Sequence, residues 1–115
     1  MINLKSKNPK ILVIGDLIID QYLWGVCNRV SPEAPVQIVN IDNENKMLGG
    51  AGNVVNNLKA LGAKVDILSV IGDCKNSNEL YLLFEEINVD TKYLFIQKNR
   101  ITSKKTRIIA SNQQV

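Results

Sequence analysis

The sequence predicts an α/β protein built on an open, doubly wound parallel sheet, and three observations carry that prediction. Two short β-branched runs, Lys10-Ile11-Leu12-Val13-Ile14 and Val65-Asp66-Ile67-Leu68-Ser69-Val70-Ile71, are each closed by a glycine, Gly15 and Gly72. Runs of this kind suit strands buried on both faces, as parallel sheets require. Apolar residues then recur at helical spacing, first Ala51, Val54, Val55, Leu58 and Leu61, later Leu80, Leu83, Phe84 and Ile87. Strand, helix, strand, helix, strand is the alternation of that fold class.

Taken in order, Lys10 to Gly15 opens the chain as a central strand. Gln21 to Val26 and Val36 to Ile41 read as two less buried strands, separated by a turn-rich stretch with Pro32 and Pro35. No helix lies between them to make a crossover, so residues of about 20–42 are expected to form a small separate sheet over one edge. The first helix starts at the Gly49–Gly50 pair and stops at Gly62. Lys64 to Ile71 is the second core strand. Asn76 is expected to cap the second helix, with Glu79 three residues on. Tyr93 to Ile96 and Thr106 to Ala110 close the chain as strands, and the last can join the small sheet. Ser111 to Val115 follows that strand with no helix to cover it, so the 1–115 segment is expected to be the N-terminal part of a longer domain.

Composition narrows the function. The 115 residues are 45% apolar and 22% charged, which excludes a disordered chain and allows one ordinary domain. The net charge is +3, and the 14 Lys and Arg are spread along the chain, thickest from Lys92 to Arg107. A duplex-binding surface needs a denser basic stripe, so no nucleic-acid partner is expected. The polar N-terminus lacks the apolar region of a signal peptide, and no apolar run reaches bilayer length. A cytoplasmic protein without a membrane partner is expected. Cys27 and Cys74 lie far apart without metal-ligand spacing and read as buried or idle thiols. The absence of histidine removes His-based catalysis and His-ligated metals. No metal site is expected within the segment, and any chemistry must use carboxylates, lysines, arginines and backbone amides.

Two motifs can carry chemistry. Gly49-Gly50-Ala51-Gly52-Asn53 opens a helix, where glycines allow close approach to the backbone and unpaired amides attract oxygen-bearing groups. A P-loop needs Gly-Lys-Ser/Thr after four spacers, which is absent. A dinucleotide fingerprint needs a buried strand before it and a glycine where Val55 stands, and Lys46-Met47-Leu48 makes a poor strand. A sugar-binding turn, with Asn53 offering its amide to hydroxyls, and a turn that serves packing alone both remain open. The second motif, Gly15-Asp16-Leu17-Ile18-Ile19-Asp20, lies beyond the carboxyl end of the first core strand, where open α/β sheets bind ligands. A carboxylate there can accept hydroxyl bonds worth about 1.5–3 kcal/mol each, or either aspartate can simply cap a turn.

Together these residues resemble the N-terminal signature of the ribokinase (phosphofructokinase-B) family: Gly49-Gly50-Ala51-Gly52-Asn53, then Gly62, then Gly72-Asp73. Val55 departs from it, since the family prefers Ala, Ser or Thr there. Within the family, Arg29-Val30-Ser31-Pro32-Glu33-Ala34-Pro35-Val36 is similar to a segment of the bacterial heptose-7-phosphate kinases. Lys105-Thr106-Arg107-Ile108 and Asn112-Gln113-Gln114-Val115 resemble the same enzymes. The resemblance implies a ribokinase-like sheet whose early strands form a β lid over the sugar, and self-association into a homodimer through those strands. It implies an ATP- and Mg2+-dependent kinase acting on the anomeric hydroxyl of a heptose 7-phosphate, on the route to ADP-heptose and lipopolysaccharide core. Asp20 then holds sugar hydroxyls with Gly49, Gly50 and Asn53, and Asp16 is the less favoured aspartate. Lys105 and Arg107, on one face of a strand, can grip a phosphate or form a solvated face.

The family's base and anion hole come from a Gly-x-Gly-Asp turn that this sequence does not contain. Gly15-Asp16 and Gly72-Asp73 are each preceded by Val-Ile. The segment alone is therefore expected to be inactive and to bind neither ATP nor Mg2+ well. The alternatives are a ribokinase-type kinase for another sugar or nucleoside, which the Ser-Pro-Glu-Ala-Pro stretch disfavours, and a non-catalytic product that only binds sugar or dimerises.

Overall fold

The computed structural model describes residues 7, 9–30, 37–110 and 113–114. The elements run β1 (Lys10–Ile14), β2 (Leu17–Val30), β3 (Gln37–Gly50), α1 (Ala51–Ala60), β4 (Lys64–Gly72), α2 (Lys75–Glu86), β5 (Leu94–Gln97), β6 (Ser103–Ala110) and β7 (Gln113–Gln114). They fall into two compact units, one of Met1–Ile19 with Met47–Lys104, the other of Asp20–Lys46 with Lys105–Val115.

The first unit is built on a three-stranded sheet in the order β1-β4-β5, parallel throughout. The register sets Ile11 beside Val65 and Val13 beside Ile67. On that face Val65, Ile67 and Ile71 are buried with Val55 of α1 and with Leu80 and Phe84 of α2. Alternate residues of a strand point to opposite faces, so Leu12, Ile14 and Val70 share the other face. There they are 49%, 69% and 41% exposed. Both strands carry apolar residues on both faces, which is why they read as near-continuous runs rather than as alternation.

Each helix boundary has a local cause. Gly50 caps α1 with φ of 57°, a left-handed conformation, and a Cβ there would lie 2.6 Å from Asp16 O. The Ala51 amide donates to the same Asp16 carbonyl at 2.8 Å, so one of the unpaired amides expected at this helix start is already satisfied. At its other end the Gly62 amide returns to Lys59 O, 3.0 Å away. Helix α2 corrects the sequence reading: its cap is Cys74, two residues before Asn76, and no side chain caps it. Asn76 instead lies within the helix and donates through Nδ2 to Thr102 O at 3.2 Å.

The second sheet has the order β3-β2-β6-β7. The lid strands and the last long strand therefore do form a separate sheet. They are longer than the sequence suggested. β2 starts directly after Asp16, and β3 continues through Lys46-Met47-Leu48 to Gly50. The glycine pair thus ends a strand after all, but one that belongs to this sheet and not to the parallel one, so the dinucleotide reading gains nothing. β7, which the sequence reading lacked, pairs antiparallel with the end of β6. Ser31 to Val36, with Pro32 and Pro35, lies outside the described residues.

Candidate functional site

The second unit gathers one of the expected groups of residues. Asp20, Tyr22 and Trp24 alternate along β2 and so share a face, as do Lys105 and Arg107 on β6. Lys105 Nζ lies 3.5 Å from Asp20 Oδ1, an ion pair in which the lysine is about half exposed. That carboxylate oxygen is inaccessible to solvent and makes no hydrogen bond, so the contact is charge against charge without donor geometry. Arg107 donates through its guanidinium to Tyr22 Oη at 2.9 Å and lies 5.7 Å from the centre of the Tyr22 ring. Tyr22 and Trp24 stack with centroids 6.3 Å apart. Thr106 donates to Gln21 Oε1 at 2.9 Å, and Gln21 donates to Glu44 across β2 and β3. The sequence reading picked Asp20, Lys105 and Arg107 but missed the two aromatic rings. Their signal was present as period-2 spacing from Asp20.

The first unit holds Asp16, Gly49, Gly50 and Asn53. Gly49 is buried, whereas Asp16, Gly50 and Asn53 are exposed. Beyond the carboxyl ends of β1 and β4 lies a cavity of 160 Å³ lined by Asp16, Leu17, Ile18, Val70, Ile71 and residues 100–103. A second hollow of 210 Å³ shares Asp16, Val70 and Arg100 with it. This is the place where an open α/β sheet takes its ligand. Arg100 was not among the expected residues. Its only sequence signal is its position within the basic stretch from Lys92 to Arg107.

The wall of that cavity is fixed by a ring of hydrogen bonds. The Gly72 amide donates to Thr102 Oγ1 at 2.9 Å, and Ser77 Oγ donates to the Gly72 carbonyl. The two hydroxyls lie 2.8 Å apart. Each hydroxyl has one proton. Ser77 commits its proton to Gly72, so Thr102 donates to Ser77 and the ring returns to the residue where it began. Thr102 is further held through its amide to Cys74 Sγ at 3.4 Å and through its carbonyl by Asn76. The Thr102 amide is the main cause that holds the Cys74 thiol down at about 7 against an ordinary 9.0, with partial burial opposing it. Gly72 has no room for a side chain: a Cβ would sit 1.9 Å from Arg100 O. Glu79, near the same end of α2, pairs with Lys104 at 3.2 Å.

Compared with known families, residues 8–115 match the model described as pfkB family carbohydrate kinase. The chain belongs to that family. It is 62% identical over 110 residues to the "Bifunctional protein HldE" of Aliarcobacter butzleri, a match covering 96% of this chain and 23% of that protein. It is 55% identical over 115 residues to the protein of the same name from Helicobacter hepaticus, covering 100% of this chain and 24% of the relative. The chain thus spans about a quarter of the length of these curated relatives. Among solved structures, a carbohydrate kinase from Agrobacterium tumefaciens superposes with a TM-score of 0.71 at 25% identity, over 93% of this chain and 34% of that one. The ribokinase of Arabidopsis thaliana, solved with ribose and ATP, gives 0.67 at 17% identity over 93% and 34%. The fold is ribokinase-like, and the lid sheet and the parallel sheet are parts of it. No described helix is long and apolar enough to cross a membrane.

Proposed function

We propose that this segment supplies sugar-binding surface to an ATP-dependent kinase that phosphorylates a heptose 7-phosphate at its anomeric hydroxyl, on the route to ADP-heptose. The observation that carries the reading is the 62% identity to an HldE protein across nearly the whole chain, together with the Arg29–Val36 stretch similar to heptose-7-phosphate kinases. In this reading Asp20 accepts hydroxyl bonds from the sugar. Gly49 and Gly50 let the substrate approach the backbone, and the exposed Asn53 amide donates and accepts at hydroxyls. Asp16 is the second carboxylate, and Lys105 and Arg107 offer cationic charge from β6. The ion pair with Lys105 pre-orients the Asp20 carboxylate through its solvent-inaccessible Oδ1. The side chain as a whole is partly exposed, and its second oxygen is the one left to accept from a sugar hydroxyl.

ATP is the phosphoryl donor of the reaction, and Mg2+ neutralises its phosphates. Among the described residues no three carboxylate, thiol or imidazole groups come together as a ligand set. The base that takes the acceptor's proton is not assigned here, because the sequence contains no Gly-x-Gly-Asp. The segment by itself is expected to be inactive. The same reading assigns homodimer formation to the lid strands β2 and β3 and takes the protein to be cytoplasmic.

The test is ADP release by the intact protein with heptose 7-phosphate, unphosphorylated heptose and ribose as acceptors. Turnover with heptose 7-phosphate at a kcat/KM at least about tenfold above the other two supports the reading, a difference of about 1.4 kcal/mol in transition-state binding. Equal or better use of ribose or plain heptose contradicts it. Asp20→Asn is expected to lower kcat/KM about 10- to 100-fold through loss of charge-assisted bonds.

A further inference from the structure

We infer that Arg100 is a specificity residue that takes the phosphate of the phosphorylated sugar, in the cavity beyond β1 and β4 and facing Asp16. The inference rests on the sugar-phosphate reading above. Three observations carry it.

The first is a pair of opposite charges left apart. Asp16 and Arg100 line the same two hollows, yet among the described residues neither carboxylate nor guanidinium has an ion-pair partner. Among the described residues the guanidinium makes a single long bond, to the exposed Gln97 Oε1 at 3.4 Å. A ligand that satisfies both must offer hydroxyl donors to the carboxylate and an anionic group to the fork of N–H donors. A sugar phosphate has both, and Arg matches phosphate geometry through paired N–H bonds.

Positioning is the second. Arg100 follows a tight turn whose Asn99 has φ of 61°, and its amide returns to Gln97 O at 3.4 Å. Its carbonyl lies against Gly72, where not even a methyl group fits. Two residues on, Thr102 is held from both backbone atoms and its hydroxyl. The Arg100 backbone is therefore fixed beside the cavity before any ligand arrives, which lowers the ordering cost of binding.

The third is the contrast with the other cations considered for the phosphate. Lys105 is paired with Asp20, and Arg107 is bonded to Tyr22 and lies against its ring. The Lys105 charge is already offset by Asp20, and one nitrogen of the Arg107 fork is already committed to Tyr22. Arg100 gives up one long bond at the surface.

The experiment compares KM for heptose 7-phosphate with KM for unphosphorylated heptose in the intact protein, for wild type, Arg100→Ala and Arg100→Lys. A misfolded variant loses both substrates together, so the ratio within each variant is the readout. Arg100→Ala is expected to raise KM for the phosphate ester about 10- to 100-fold and to leave that for heptose within about twofold. Arg100→Lys should recover part of the ratio, as a point charge without the fork. A wild type that prefers heptose 7-phosphate with an unchanged ratio in Arg100→Ala overturns the assignment of Arg100 alone. A wild type without that preference overturns the sugar-phosphate reading itself.

Discussion

Arg100 and Thr102 are two residues apart in one loop and put their polar groups to opposite uses. Thr102 is 4% exposed, and its hydroxyl, amide and carbonyl are all bonded to the turn at the end of β4 and the start of α2. Arg100 is exposed beside a cavity, with one weak side-chain partner among the described residues. A buried donor must find a partner or cost stability, so the Thr102 side of the loop is fixed by folding. An exposed guanidinium has no such obligation, which leaves it available to a ligand. The difference shows how one short segment both anchors a turn and arms a site.

Breaking the anchored side has the largest expected effect. In Gly72→Ala the new Cβ meets the Arg100 carbonyl at 1.9 Å, backbone against backbone with nothing to give. A loss of about 3 kcal/mol or more, or failure to fold, is expected in urea unfolding. Ser77→Ala and Thr102→Val each open the ring and strand a buried partner, Gly72 O in one and Gly72 N–H in the other. Each is expected to lose about 1–3 kcal/mol. The double variant should lose less than the sum, since the first change already opens the shared ring. Additive losses would show two independent bonds instead.

The Asp20–Lys105 pair is an intermediate case, held in place but half exposed. Solvent screening discounts it, so Lys105→Ala is expected to change stability by no more than about 1 kcal/mol. Cys74 gives the smallest effect. Its thiol is held at about 7 in the fold against 9.0 ordinarily, so the fold favours the thiolate. That contribution is fully present above about 9 and is lost as pH falls through 7. Alkylation followed at the Cys74 peptide should rise with a midpoint near pH 7, and a midpoint near 9 would show that the Thr102 amide does not act on it.

These contrasts also show what the sequence could and could not disclose. β1 and β4 were legible because both faces of each carry apolar residues, and α1 because its apolar residues keep helical spacing up to Gly62. Asn76 was misplaced as a cap, because its local pattern with Glu79 suits one while its amide is drawn to Thr102 O, 26 residues away. The ring of Gly72, Ser77 and Thr102 spans 30 residues with no local periodicity to betray it. Asp20, Lys105 and Arg107 were chosen from strand alternation and the family pattern. Tyr22 and Trp24 lie on the Asp20 face by the same alternation and were overlooked as ordinary strand residues. Arg100 sits in a turn after Asn99, where neither period applies, and only the folded cavity marks it.

The most direct test of the divided loop measures two quantities on two variants of the intact protein. These are the urea midpoint and the ratio of KM for heptose to KM for heptose 7-phosphate, for Ser77→Ala and for Arg100→Ala. Ser77 does not line the cavity. The account predicts that Ser77→Ala lowers the midpoint and keeps the ratio, while Arg100→Ala keeps the midpoint and lowers the ratio about 10- to 100-fold. If Arg100→Ala instead lowers the midpoint as much as Ser77→Ala and leaves the ratio unchanged, the division between anchor and ligand group is wrong.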